Sequence, residues 1–468
     1  MLKRLNILFE KGWFPVSLKI ITFFAFWFLI FIGLSARSDH PVLDSQLYRT
    51  NLTNVFVWDI WWPLILLSAL VFGRMWCMVC PVEIVTSFFS KIGLRLKRPA
   101  WLTSGWVITL FYAVIVITGV TVLEIDFNPR YTAWYLLIIF IISVITGLIF
   151  EKNTFCRYVC PVGYLLGIFS RMAAWGWRVK DRSVCRTCSD KSCISDKYLY
   201  NISYKSCGVD LYPSDISDNN HCILCGGCMK VCKTYRKNPD RPAPNPSFTK
   251  IGLASDLLQI KPFKLAEWVF LYFLTAHLID EITEFQLITT LRDLLFPERI
   301  SALLNINDGT GKDLITTGFL FFLLPVFLWG LPYLVIRLLR NKMSFADYLK
   351  KFSLAFVPVI VCLFVGLIIW EISVRVPYYK YIITDPIGVR TIQGILTKQL
   401  LINRIPDWAD WIFLFMLLSS LVAGIILSFR VIKNHTIKYM VNSTPALYLS
   451  VFVFIFIFFG TVLLYHSF

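Results

Sequence analysis

About nine apolar runs, each roughly 20 residues long, set the terms on which this chain can fold. They cover roughly 16–35, 55–73, 105–123, 133–150, 265–284, 314–336, 352–374, 408–428 and 446–465. Hydrocarbon offers no water to the backbone, so each N–H and C=O must be satisfied inside the segment, and a continuous run of this length is a membrane-spanning helix. A transmembrane barrel would show short alternating segments instead. The first run ends at "LSA" (Leu34 to Ala36), which resembles a signal-peptide cleavage site. It is longer than the usual apolar core of about 7–15 residues, however, and reads as a span. The expected fold is an all-α polytopic membrane protein of about nine helices, with one inserted water-side segment.

The formal charge of +17 is distributed by topology. Lys3, Arg4 and Lys11, then Arg74, Lys91, Arg95, Lys97 and Arg98, fall on one side of the spans, as do Arg337, Arg340, Lys342, Lys350, Lys351, Arg430, Lys433 and Lys438. The opposite loops mix signs, as in Glu124, Asp126 and Arg130. The positive-inside rule then puts the N-terminus and the cysteine-rich segment in the cytoplasm and the C-terminus outside. Charge that follows topology and forms no single patch excludes nucleic acid as its explanation.

Twelve of the 13 cysteines lie between Cys77 and Cys232; Cys362 stands apart in an apolar run and reads as a packing residue. On a reducing cytoplasmic side, thiols in this number point to metal or redox chemistry rather than disulfides. "HCILCGGCMKVCK" spaces Cys222, Cys225, Cys228 and Cys232 as C-x2-C-x2-C-x3-C, the bacterial ferredoxin run. Gly226 and Gly227 let the backbone turn between ligands. Lys233 replaces the proline usual after the fourth cysteine. Upstream stand Cys185, Cys188, Cys193 and Cys207. In two-cluster ferredoxins the fourth cysteine of the run serves the other cluster. On that topology one [4Fe-4S] cluster takes Cys185, Cys188, Cys193 and Cys232, and the other takes Cys222, Cys225, Cys228 and Cys207. A pair of tetrahedral zinc sites is the alternative, disfavoured by the x2-x2-x3 spacing. His221 reads as a solvated loop residue and not a ligand.

Two further thiol pairs sit at span ends. Cys80-Pro81-Val82 aligns with Cys160-Pro161-Val162, and Phe89-Ser90-Lys91-Ile92 with Phe169-Ser170-Arg171-Met172. Each copy reads as two spans, a Cys-Pro turn and a short amphipathic helix suited to the membrane surface, with Ile84, Val85, Phe88, Phe89 and Ile92 on its apolar side. Proline after cysteine pre-forms the helix start, and the helix dipole there favours a thiolate. Cys77, Cys80, Cys156 and Cys160 could ligate a further metal centre, form a redox dithiol pair, cover the ferredoxin domain on the membrane, or pack structurally.

Two Cys-Pro motifs at helix ends followed by a ferredoxin run resemble the NosR/NapH/CcoG group of membrane polyferredoxins. The resemblance covers about residues 55–235 and rests on "GRMWCMVCP" and "CILCGGCMKVC". It implies [4Fe-4S] clusters, a bacterial inner (cytoplasmic) membrane, and electron transfer between the quinol pool or a cytoplasmic donor and a protein partner in respiration or denitrification, as in a quinol dehydrogenase component. NosR proteins carry an external flavin domain before the first span, where this chain has about 15 residues; CcoG proteins end in an external immunoglobulin-like domain, where this chain has further spans. The NapH-like core is the nearest match, with a C-terminal membrane extension. Two other readings stay open: a CcoG-like copper reductase or assembly factor using the Cys-Pro thiols, and a membrane redox sensor.

Three domains are expected: a membrane domain over 1–180 with the duplicated units, a ferredoxin-like domain over 181–247, and a C-terminal membrane domain over 248–468. The Pro-rich "NPDRPAPNP" (Asn238 to Pro246) reads as a linker between the last two. Among five histidines only His277 lies well inside a span, which speaks against a bis-His haem. Trp58, Asp59, Trp61 and Trp62, with His277, are candidates for a quinol site; Asp280, Glu281, Glu284 and Glu371 are the other ionisable residues near span ends. The plain alternative is an interfacial aromatic belt.

Overall fold

The computed structural model describes residues 2–37, 41–201, 205–232, 244–258, 262–283, 303–304, 309–339, 343–402, 407–439, 448–449, 451–453 and 455. Residues 1–108, 125–259 and 375–404 form one compact unit, and 109–124, 260–374 and 405–468 a second.

In the first unit α1 (Leu2–Glu10) leads into α2 (Val16–Leu34), 19 residues long. At 1.5 Å per residue α2 spans about 28 Å, the thickness of a hydrocarbon core. Ile21, Phe24, Phe28 and Phe31 form its exposed stripe, the face for lipid. Its inner face carries Gly33, where a Cβ would come within 2.8 Å of Ala133 Cβ, so helices pack here through small residues. The second span covers Val42–Phe72 and contains a π-helical stretch, Val55–Trp61, before α3 (Trp62–Phe72). Within it Asn51 caps the turn Leu52–Asn54 that leads into the π-helical stretch, accepting from Thr53 N at 2.9 Å. Gly73, at φ +75°, ends the span.

The chain then folds back through α4 (Met75–Val79) and α5 (Pro81–Ile92). The second copy runs through α6 (Pro129–Ile149), α7 (Thr154–Tyr158) and α8 (Pro161–Ser170). Both Cys-Pro prolines sit at the first helical position, with Cys80 and Cys160 as extended N-caps, as the sequence predicts. The copies differ in burial. The α5 helix keeps Phe88 and Ile92 exposed, whereas α8 is buried along nearly its whole length and is no surface helix.

The cysteine segment is bracketed by β1 (Trp175–Val179) and β2 (Pro246–Lys250), paired antiparallel with Trp177 opposite Phe248. These strands depart from the all-α expectation. The last residue of the expected linker, Pro246, opens β2, a position where a missing N–H costs little. Between the strands lie α9 (Arg182–Arg186) and α10 (Gly227–Lys230). Phe9, Phe14, Met78, Trp177, Leu224 and Phe248 belong to one core that ties α1, the first Cys-Pro unit and the cysteine segment together.

Among the described residues five helices are long and apolar enough to cross a membrane, or six if the pair Phe345–Ala355 and Val357–Ile368, bent by 49°, is one span. The chain is thus a mostly helical, multi-pass membrane protein. Of the other expected runs, 105–123 forms the shorter apolar helix Trp106–Val122. The run at 265–284 forms Leu265–Thr283, which carries Glu267, Asp280 and Glu281. The run at 446–465 lies mostly outside the described residues. In the second unit Tyr112 stacks on Phe270 at 4.3 Å, and Trp329 Nε1 donates to Thr275 Oγ1 at 3.0 Å.

Candidate metal centres

The structure gathers the 12 clustered cysteines into three groups, all within the first unit. Cys185, Cys188, Cys193 and Cys232 line one cavity, whose wall Cys228 shares. Asn245 Nδ2 donates to Cys185 Sγ at 3.1 Å. Burial, then the neighbouring thiols Cys185, Cys232 and Cys188, push Cys193 up to about 12.

Cys207, Cys222, Cys225 and Cys228 interact in a second group. Burial first, and neighbouring thiols after it, push Cys222 up to about 12 and Cys207 up to about 11. Trp177 Nε1 donates to Cys228 Sγ at 2.9 Å and Leu211 N to Cys207 Sγ at 3.3 Å. Gly226 adopts φ +70°, as the turn between ligands requires, and a Cβ on Gly227 would lie 2.4 Å from Lys205 O. Leu224 also takes a left-handed conformation, at φ +53°. The two groups touch through the backbone, where Cys207 N donates to Cys193 O at 2.8 Å. Lys233 lies outside the described residues.

Cys77, Cys80, Cys156 and Cys160 converge as a third group where the two copies meet. The expected helix-start effect is present: Gly163 N donates to Cys160 Sγ at 3.3 Å, and Val82 and Glu83 N–H groups bond Cys80. Burial outweighs it, and neighbouring thiols add to burial. Cys80 and Cys156 are held well above the usual thiol range and Cys160 is pushed to about 11. The expectation of thiolates favoured by the helix dipole therefore fails for the bare thiols.

Beside this group the Arg74 guanidinium is buried. It donates to Asn220 O at 2.9 Å and Cys156 O at 3.2 Å and hydrogen-bonds Cys77. Gly163 makes room for it, since a Cβ there would lie 2.6 Å from Arg74 Nη2. Glu83, also buried, pairs with Lys19, takes Lys205 Nζ at 2.7 Å and accepts from Asn153 Nδ2. Lys19 lies within electrostatic range of both Cys156 and Cys225, so this charged network stands between the second and third groups.

Among the described residues no three His, Cys, Asp or Glu side chains could hold a single metal ion. Thiolates on one zinc, at about 2.3 Å each, would have to stand within about 4 Å of one another. A four-iron cube takes one thiolate at each of four separated irons, which suits sets that sense one another without closing on a point.

His221 is not the solvated residue the sequence suggests. It is half-buried, and burial, then Arg157 and Arg74, lower it to about 3. Asp59, a candidate proton acceptor, is buried and bound by Arg375 Nη1 at 2.5 Å. Trp58 Nε1 donates to Thr132 Oγ1 at 3.0 Å. Trp61 meets Trp62 and, at 5.3 Å between ring centroids, Trp76, which precedes Cys77. His277 faces Glu281 at 3.7 Å in the second unit. Glu284 and the side chain of Glu371 lie outside the described residues.

The family model described as a 4Fe-4S binding domain matches residues 54–99 and 132–184, the two Cys-Pro units. NirI of Paracoccus denitrificans is 23% identical over 236 residues, 43% of this chain and 33% of NirI. The regulatory protein NosR of Stutzerimonas stutzeri is 22% identical over 272 residues, 51% of this chain and 36% of NosR. The ferredoxin-type protein NapH of Haemophilus influenzae is 24% identical over 194 residues, 36% of this chain and 63% of NapH. These matches support the likeness to NosR/NapH-type membrane iron–sulfur proteins. The chain spans about a third of NirI and NosR. No solved structure matches it. The match to the 4Fe-4S binding domain ends at residue 184, just before Cys185, so the ferredoxin run lies outside it.

Sequence reasoning missed Arg74, Lys19 and Glu83 as parts of a buried site. Arg74 counted there as one more positive-inside loop charge; the close glycine across from it, Gly163, was the available signal. Trp177 and Asn245 left no motif to find.

Proposed function

We propose that this chain is a membrane electron carrier with two [4Fe-4S] clusters and a third thiol-bound centre. Cys185, Cys188, Cys193 and Cys232 hold one cluster, and Cys207, Cys222, Cys225 and Cys228 the other. The observation that carries this reading is the crossover: Cys232 ends the run that begins at Cys222 yet interacts with Cys185 and Cys193, whereas Cys228 interacts chiefly with Cys222, Cys225 and Cys207. That is the exchange of fourth ligands expected of two-cluster ferredoxins. Each bound cluster supplies a one-electron couple. The chain's own residues exclude water and donate hydrogen bonds, from Trp177 and Asn245, to the ligand sulfurs.

Support for the third centre comes from Arg74. A buried guanidinium bonded mainly to carbonyl oxygens calls for an anion, and four neutral thiols do not provide one. Metal-bound thiolates at Cys77, Cys80, Cys156 and Cys160 would. The match of a 4Fe-4S binding family to these units agrees with this.

The thiol-bearing face lies in the cytoplasm of a bacterial inner membrane on this reading, with about nine spans and the positive loops inside. The quinol pool and a respiratory or denitrification partner are the proposed exchange partners. Anaerobic purification should give about eight iron and eight labile sulfide per chain from the two clusters, with further iron or another metal at the third site. Zinc or no metal at the eight ferredoxin-segment cysteines would overturn the reading. If Cys77→Ser with Cys156→Ser leaves iron unchanged but abolishes Cu(II) reduction, the third site is a copper-reducing one.

A further inference from the structure

The thiol group of Cys185 meets solvent in a charged setting. An open cleft is lined by Arg182, Cys185, Arg186, Lys191, Tyr212 and Asp215, among others. Arg182, Arg186 and Lys191 are exposed. Their positions are set by local structure. Asp181 caps α9, accepting from Ser183 N at 2.8 Å. Lys191 turns at φ +39° and lies 5.9 Å from the Tyr212 ring centroid. The Tyr212 hydroxyl in turn bonds Cys185 O. Three cations and one acid, Asp215, leave this cleft two charges positive.

The other two groups are deeper. Cys222 is buried in the core of Phe9, Phe14 and Trp177. The Cys-Pro thiols lie between the two copies beside the buried Arg74.

We infer that this cleft docks a soluble one-electron carrier protein with an acidic face, and that the electron crosses at the Cys185 edge. The inference rests on the reading that Cys185, Cys188, Cys193 and Cys232 hold a [4Fe-4S] cluster. The chemistry of the cleft fits a transient protein contact. Its cations stand on an open rim around a ligand cysteine, and brief redox encounters use small interfaces held by complementary charge. The step forms and breaks no bond: the reduced carrier loses one electron and the oxidised cluster gains it. An anionic lipid headgroup could meet the same cations, and the experiment separates the two.

Full-length protein in nanodiscs would be compared with the triple variant Arg182→Glu, Arg186→Glu, Lys191→Glu. Iron and labile sulfide are counted first. The probe is a reduced acidic [2Fe-2S] ferredoxin, and the control reductant is the methyl viologen radical cation. The expected result is unchanged iron and an unimpaired methyl viologen rate. With ferredoxin at low salt the variant should react at least about tenfold slower and lose the salt dependence seen in the native chain, since steering is worth about 10–1,000-fold. Equal ferredoxin rates, or a salt-independent rate in the native chain, would overturn the docking site while leaving the cluster assignment standing. So would a variant that loses only its binding to anionic-lipid vesicles. Four too few irons in the native chain would remove the cluster reading and the docking site together. If the triple variant itself loses iron, the milder set Arg182→Gln, Arg186→Gln, Lys191→Gln carries the same test.

Discussion

Trp177 on β1 points its indole N–H at the sulfur of Cys228, 2.9 Å away, across 51 residues of sequence. A hydrogen bond to a cluster thiolate stabilises the more negative, reduced state, so it raises the reduction potential. Trp177→Phe keeps the ring packed against Phe9 and Phe248 and removes only the donor. The expected outcome is a fall of one cluster's midpoint by on the order of tens of millivolts, with the other unmoved, measured by EPR-monitored titration.

Cys228 and Cys232 are neighbours in sequence but belong to different thiol groups. Cys232→Ser should perturb the cluster at Cys185, and Cys228→Ser the cluster at Cys207. EPR of the two reduced variants should therefore show loss or conversion of different signals. The same signal lost in both would contradict the crossed pairing.

Glu83 joins Lys19 and Lys205 in a buried network. Burial alone would raise its carboxyl, but the two ammonium groups prevail and hold it well below the usual range. A folded-state value below the unfolded one gives stability that is present above about pH 4.3 and lost as pH falls through the folded value. Glu83→Gln strands the buried Lys19 and the half-buried Lys205 and should cost about 3–5 kcal/mol. That difference should stay flat between pH 8 and 5 and shrink in stronger acid, in thermal or denaturant unfolding of the detergent-solubilised protein.

Gly226 and Gly227 should respond unequally to alanine. A Cβ at Gly226 meets the edge of the Phe9 ring at 2.8 Å and takes a left-handed backbone, a strain of about 1–2 kcal/mol. At Gly227 it meets the carbonyl oxygen of Lys205 at 2.4 Å, and backbone yields less than a ring. Gly227→Ala should lose more cluster iron on purification than Gly226→Ala.

The sequence made the local chemistry readable. The x2-x2-x3 spacing, the Cys-Pro helix starts and the turning glycine at Gly226 are all short-range features, fixed by a few neighbouring residues. What escaped was set by distance. Arg375 binds Asp59 across 316 positions, and Asn6 joins β2 through Phe248 across 242. No periodicity records such pairings. Asn245 sat in a stretch rich in proline that reads as a spacer, yet it holds the Cys185 sulfur. The duplication was visible but its unequal use was not. The α5 helix carries Glu83 and Lys91 where α8 has no charged residue, and α8 is the one enclosed while α5 keeps an outer face.

The carbonyl oxygen of Cys193 accepts the N–H of Cys207, one residue from each of the two proposed iron-binding sets. On the two-cluster proposal, inserting the first cube would stiffen this shared strut and so pre-shape the seat for its neighbour. Loading should then be close to all-or-none, and half-filled molecules should be scarce at every stage of maturation.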